Sequence, residues 1–141
     1  MLYFEHINLA VKNLSVSLKF YQAAFPHWHI RGGGERVWHG KQSSWLHFGD
    51  DYQYIAFNDF GEGENRDLSG HQVGLAHFAF VTNSLLEVTK RLAQAGFEVA
   101  KLGEDGQYRS NVYFVDPDGF EVEFVEYKSD LPELRNQYLS N

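Results

Sequence analysis

Hydrophobic positions alternate with polar or small ones in two stretches that resemble each other and lie about half a chain apart. In the first, Ile7, Leu9 and Val11 fall on one side of an extended segment, while His6, Asn8 and Ala10 fall on the other. In the second, Phe78 and Phe80 share a side opposite His77, Ala79 and Val81. Each strand runs through a short polar break into a stretch with helical periodicity, about Ser15–Phe25 and Ser84–Ala95. Asn13 or Ser15 can cap the first helix, and Asn83 or Ser84 the second. Gly96 supplies a stop after the second. The two opening histidines are 71 residues apart, so the chain reads as an internal duplication.

The rest of each half reads as strand. Val37–His39, Ser44–Phe48 and Tyr52–Asn58 follow the first helix; Glu98–Leu102, Val112–Val115 and Phe120–Tyr127 follow the second. Asp116-Pro-Asp-Gly119 carries turn chemistry ahead of the last strand. Gly32–Gly34 lacks the surroundings of a phosphate-binding loop and reads as a flexible loop, and Gly61–Gly70 as a polar link. The expected architecture is α+β: two βαβββ repeats, about 3–60 and 72–127, within a single domain 1–128. They form a curved mixed sheet around a cleft, with helices on the outer face. A polar tail, 129–141, carries a short helix over about Leu131–Tyr138.

Composition narrows the chemistry. Of the residues, 43% are hydrophobic, enough for a packed core and too many for a disordered chain. The absence of cysteine excludes disulfides, thiolate metal sites and thiol catalysis. A formal net charge of −7, with scattered Lys and Arg, argues against a nucleic-acid partner. No apolar run approaches the ~18–20 residues of a membrane span. The N-terminal pattern is not that of a signal peptide, so a cytoplasmic location is expected.

The last strand alternates Phe120, Val122 and Phe124 against Glu121 and Glu123. Its apolar set belongs on the helix-packed side, which leaves both carboxylates on the side already assigned to His6 and His77. A lone strand histidine is more often a satisfied structural residue than a ligand. Equivalent histidines in two repeats, joined by a carboxylate on the same face, favour a metal ion instead.

The segments EHINLAVKNLSVSLKFYQAAF, GLAHFAFVTNSLLEVTKRLAQAGFEV and especially YFVDPDGFEVEFVEY resemble the vicinal oxygen chelate superfamily. That superfamily includes glyoxalases, extradiol dioxygenases and bleomycin resistance proteins. The resemblance spans nearly all of residues 3–127 and implies His6, His77 and Glu123 as metal ligands. Gln53 is a possible fourth, unless Ile55 takes the place opposite Glu123. It implies one divalent ion (Fe, Mn, Ni, Co or Zn), a small-molecule substrate and a homodimer. The cleft would form within one chain or across two. The activity implied is a metal-dependent lyase or isomerase of glyoxalase type. The alternatives are an extradiol-type dioxygenase and a non-catalytic ligand-binding protein. Tyr113 is a candidate hydrogen-bond donor or proton shuttle, His47 a general base, and Arg109 a holder of anionic substrate. His27, His29, His39 and His71 show no partner pattern.

Overall fold

A computed structural model describes residues 1–138. The described residues form two compact units, 1–64 and one beginning at Asn65, so each repeat builds its own body. Each unit carries a four-stranded mixed sheet, one per βαβββ repeat as expected.

In the first unit β1 (His6–Ala10) leads into α1 (Leu14–Ala24), then β2 (His29–Trp38), β3 (Lys41–Gly49) and β4 (Tyr54–Asn58). The sheet order is β1-β4-β3-β2, with β1 and β4 parallel and the other pairs antiparallel. The periodicity of α1 turns Phe20, Tyr21 and Ala24 inward, where they are buried with Leu9, Val11, Leu46, Phe48, Ile55 and Phe57. Asn13 starts the helix: its Oδ1 accepts from the Val16 N–H at 3.0 Å. Asn13→Ala should therefore cost about 1 kcal/mol, readable as a lower urea midpoint with an unchanged m-value.

One expectation is corrected here. Gly32–Gly34 is no loop but the middle of β2, paired residue by residue with His47, Leu46 and Trp45. Glycine is needed there because a Cβ on Gly33 would lie 2.8 Å from the Trp45 carbonyl oxygen. The strand then turns through His39 (φ 44°) and Gly40 (φ 82°), the pair of positive φ values of a two-residue hairpin.

The second unit repeats the plan: β5 (Phe78–Val81), α2 (Leu85–Gln94), β6 (Lys101–Asp105), β7 (Arg109–Val115) and β8 (Glu121–Tyr127), ordered β5-β8-β7-β6. Ser84 caps α2 by accepting from the Glu87 N–H, and Glu126 accepts from the Leu85 N–H, tying the helix start to β8. Val88 and Leu92 are buried, as are Phe114, Val122 and Phe124. The Asp116 carboxylate accepts from the N–H groups of Asp118 and Phe120, which closes the turn before β8, with Gly119 at φ 90°.

β6 begins at Lys101, later than the expected Glu98. The terminal helix α3 is a single turn, Pro132–Arg135, rather than a run to Tyr138, and residues 139–141 of the tail lie outside the described residues. No helix among the described residues is long and apolar enough to cross a membrane.

Candidate metal-binding and catalytic site

In the second unit, the strand that follows the Asp116 turn decides which acidic side chain reaches which neighbour. β8 runs parallel to β5, with Ala79 opposite Glu123, and antiparallel to β7, with Tyr113 opposite Glu123. Val122 and Phe124 fill the core side, so Glu121 and Glu123 stand on the open side with His77 and Tyr113. The His77 Nε2 lies 3.0 Å from Glu123 Oε2, and its Nδ1 lies 3.7 Å from Glu121 Oε1. Alternation leaves both carboxylates on this side; their partners on the His77 ring tell them apart.

Asn111 holds the other Glu123 oxygen: its Nδ2 donates to Oε1 at 2.7 Å. The amide is oriented because its Oδ1 accepts from the Glu104 N–H. A Cβ on Gly103 would meet that Oδ1 at 2.0 Å, so only glycine leaves room for this arrangement. Tyr113 presents its hydroxyl 3.3 Å from Asn111 Nδ2 and its ring edge-on to His77. Burial first, then the charges of Glu123 and Glu121, push its hydroxyl above the usual phenol range, so it stays protonated and able to donate. Lys101 sits 4.2 Å from the Tyr113 ring centroid and 3.7 Å from Glu121. Lys101 was not singled out in the sequence because its pairing with Tyr113 is set by the register between β6 and β7.

In the first unit the open side carries His6 and Asn8 from β1, Tyr54 and Ala56 from β4, and Trp45 and His47 from β3. The His6 Nδ1 is 2.9 Å from Glu5 Oε1. An ionised carboxylate only accepts, so this nitrogen carries the proton of the hydrogen bond. The hydrogen bond from His6, then one from Tyr54, lowers the Glu5 carboxyl below its usual range. Tyr54 stacks with His6 (4.6 Å between centroids) and with His47 (4.4 Å), and the Arg31 guanidinium lies 4.5 Å from its ring centre. Burial, then the nearby His6 and Arg31, push His47 below the ordinary imidazole value, favouring its neutral form.

The register also settles which residue of the first unit stands where Glu123 stands in the second. Ala56 pairs with Asn8 and with His47, just as Glu123 pairs with Ala79 and Tyr113. Ile55 matches Val122 instead, and both are completely buried. Gln53 precedes β4, in a turn where its N–H donates to the Asp50 carboxylate and its carbonyl accepts from the Asp50 N–H. Neither of the two residues considered from sequence is therefore brought to that position. An alanine methyl offers no ligand. His47 does occupy the counterpart of Tyr113.

Arg109 is committed elsewhere. Its guanidinium donates to the carbonyls of Arg135 and Gln137 and lies over Tyr127 and Tyr138. It pins the chain after α3 rather than facing a substrate position. Among the described residues no group of three or more His, Asp or Glu side chains is gathered into a cluster that could hold a metal ion.

Against this geometry, the chain matches the sequence model of the glyoxalase/bleomycin resistance protein/dioxygenase superfamily over residues 3–124. It belongs to that superfamily. Solved structures of the superfamily share the fold. A glyoxalase family protein from Enterococcus faecalis superposes with a TM-score of 0.69 at 22% identity, covering 88% of this chain and 97% of that one. A fosfomycin resistance protein from Listeria monocytogenes, solved with Mn(II) and sulfate, gives 0.62 at 21% identity over 97% and 99%. The trypanothione-dependent glyoxalase I of Leishmania major gives 0.66 at 16% identity over 89% and 87%. No match was found among curated proteins.

Proposed function

We propose that the chain is a divalent-metal-dependent lyase or isomerase acting on a small metabolite or thiol conjugate with two adjacent oxygens. His6, His77 and Glu123 would hold the ion, Fe, Mn, Ni, Co or Zn. The observation that carries the reading is a carboxylate on the Nδ1 side of each histidine: Glu5 beside His6 and Glu121 beside His77. Metal-bound histidines characteristically have such a partner, which orients the ring and raises the basicity of the ligating nitrogen. The donor set thus fits a borderline metal, with Nε2 as the ligand atom on both rings. Ala56 in the fourth position leaves the set at three protein ligands and keeps positions open for substrate. The Mn(II) recorded with the Listeria protein is in keeping with an ion of this type.

When bound, the metal supplies Lewis-acid stabilisation of negative charge developing on the substrate's oxygens. Asn111 fixes Glu123 so that one oxygen stays directed at His77. Tyr113 supplies a hydrogen-bond donor beside the site, and His47 a neutral imidazole able to accept a proton.

A panel of α-hydroxycarbonyl compounds and hemithioacetals in deuterated water tests the reading. The expected result is metal-dependent deuterium incorporation next to the carbonyl, absent after chelation and in Glu123→Ala. Stoichiometrically metallated protein that exchanges no panel member would overturn the lyase or isomerase reading.

A further inference from the structure

At the far end of the first unit's open face, away from His6, lies a polar cluster that the proposed reaction leaves unused. Arg36 and Ser43 face each other as register partners on β2 and β3. Asn58 stands on β4, between Ala10 of β1 and Trp45 of β3. Arg36 Nη2 donates to Asn58 Oδ1 at 2.6 Å, and Asn58 Nδ2 donates to Asn8 Oδ1 at 2.7 Å.

This chain of bonds has one possible direction. Arginine has no acceptor, so Asn58, only 2% exposed, must turn its oxygen to Arg36 and its amide to β1. Asn8 must then answer with its oxygen, which leaves its own NH2 group, two donors, on the exposed side. Asn8 lies two residues, roughly 7 Å along the strand, from His6.

The cluster is rich in donors and short of acceptors. The Arg36 Nε and the Ser43 Oγ are buried without a hydrogen-bond partner, and Ser43 is only 4% exposed. Among the described residues no carboxylate comes within ion-pair distance of Arg36. Its guanidinium lies 4.9 Å from the centre of the Trp38 ring, a contact that shields the cation without neutralising it. The neighbouring Trp45 indole is folded over Gly34, which narrows the surroundings further. A half-buried cation with no counter-charge and an idle buried hydroxyl is costly for a fold to keep, and a bound oxyanion would relieve both.

We propose that Arg36 and Ser43 form an oxyanion-binding subsite that takes a carboxylate or phosphate group of a small ligand. Its use as an anchor for the substrate's anionic end rests on the metal-site reading; the binding itself does not.

Full-length, EDTA-treated protein can be titrated at constant ionic strength with inorganic phosphate and with acetate, following the indole N–H signals of Trp38 and Trp45 by NMR. The expected result is a saturable shift with at least one of the two anions and none with chloride. Phosphate alone would assign a tetrahedral group, and acetate a carboxylate. The affinity should fall at least tenfold in Arg36→Met. It should fall similarly in Asn58→Asp, which places a carboxylate against Arg36 and satisfies it from within. Asn58→Asp, which pairs the Arg36 charge, should be at least as thermally stable as wild type, whereas Arg36→Met leaves the buried Asn58 Oδ1 without its donor and should lower the melting temperature. Absence of a saturable shift in the wild type, or wild-type affinity in whichever variants fold, would overturn the subsite. Because the metal is absent throughout, neither result depends on the fate of the metal-site reading.

Discussion

Glu123→Ala is expected to fold normally and to lose metal affinity by at least about 100-fold, more than the roughly 10–100-fold typical of losing an outer partner of a metal ligand. Among the described residues Glu123 is the only carboxylate that meets His77 at Nε2, the nitrogen left for a ligand, and Asn111 fixes its other oxygen. Glu121 approaches the opposite nitrogen, Nδ1, from 3.7 Å and shares its charge with Lys101. Glu121→Ala should therefore fall within the roughly 10–100-fold range. Glu123→Gln separates charge from shape: it can still accept from Asn111 but lacks the anionic oxygen, so its loss should approach that of alanine. Competition titration against a chromophoric chelator gives all three affinities. A larger loss for Glu121→Ala than for Glu123→Ala would invert the assignment of the two carboxylates.

The second large effect belongs to the core. Phe124 shares β8 with Glu123 but points to the other side, where it is 1% exposed and packs edge-on against Phe114, with Phe80 beyond. Removing a buried phenyl ring forfeits its transfer free energy and leaves a cavity that rigid neighbours close only in part. Phe124→Ala should thus destabilise the protein by about 3–5 kcal/mol, a large fraction of the ~5–15 kcal/mol typical of a native protein. Urea unfolding measures it directly. A cost below about 1 kcal/mol would mean that the second unit's core is held by residues other than this cluster.

The contrast between neighbours on β8 also explains what could be read from the sequence. Alternation is carried by side chains, so Glu121 and Glu123 separated cleanly from Val122 and Phe124, and the duplicated histidines marked the same side in both halves. Glycines carry no such signal. Three in a row in β2 hid a strand whose pairing comes wholly from the backbone, and the terminal helix was overestimated because its polar residues extend past the single turn that forms.

The difference between the expected and observed residue at the counterpart of Glu123 has another cause. Fifty positions separate His6 from Ala56, and forty-six separate His77 from Glu123, because the first repeat is longer between its equivalent strands. A constant offset of 71, correct for the histidines, therefore misses the position on the last strand. A one-residue error in a strand reverses the face, which is how the buried Ile55 came to be considered for a site position. Contacts fixed by register between distant segments were out of reach for the same reason. The Glu5–His6–Tyr54–His47 stack, the Lys101–Tyr113 contact and the Arg36–Asn58–Asn8 relay all depend on it. Arg109 illustrates the limit for a single residue. Nothing in its surrounding sequence announces that its guanidinium binds backbone carbonyls beyond α3.

The central claim is that His6, His77 and Glu123 together hold one metal ion, and elemental analysis tests it most directly. Tag-free protein would be loaded separately with Mn, Fe, Ni, Co and Zn and freed of excess metal, beside His6→Ala and His77→Ala treated identically. The account expects close to one ion per chain for at least one of these metals in the wild type, and loss of that ion in both variants. A folded wild type that takes up none of the five, or variants that keep their metal, would contradict it.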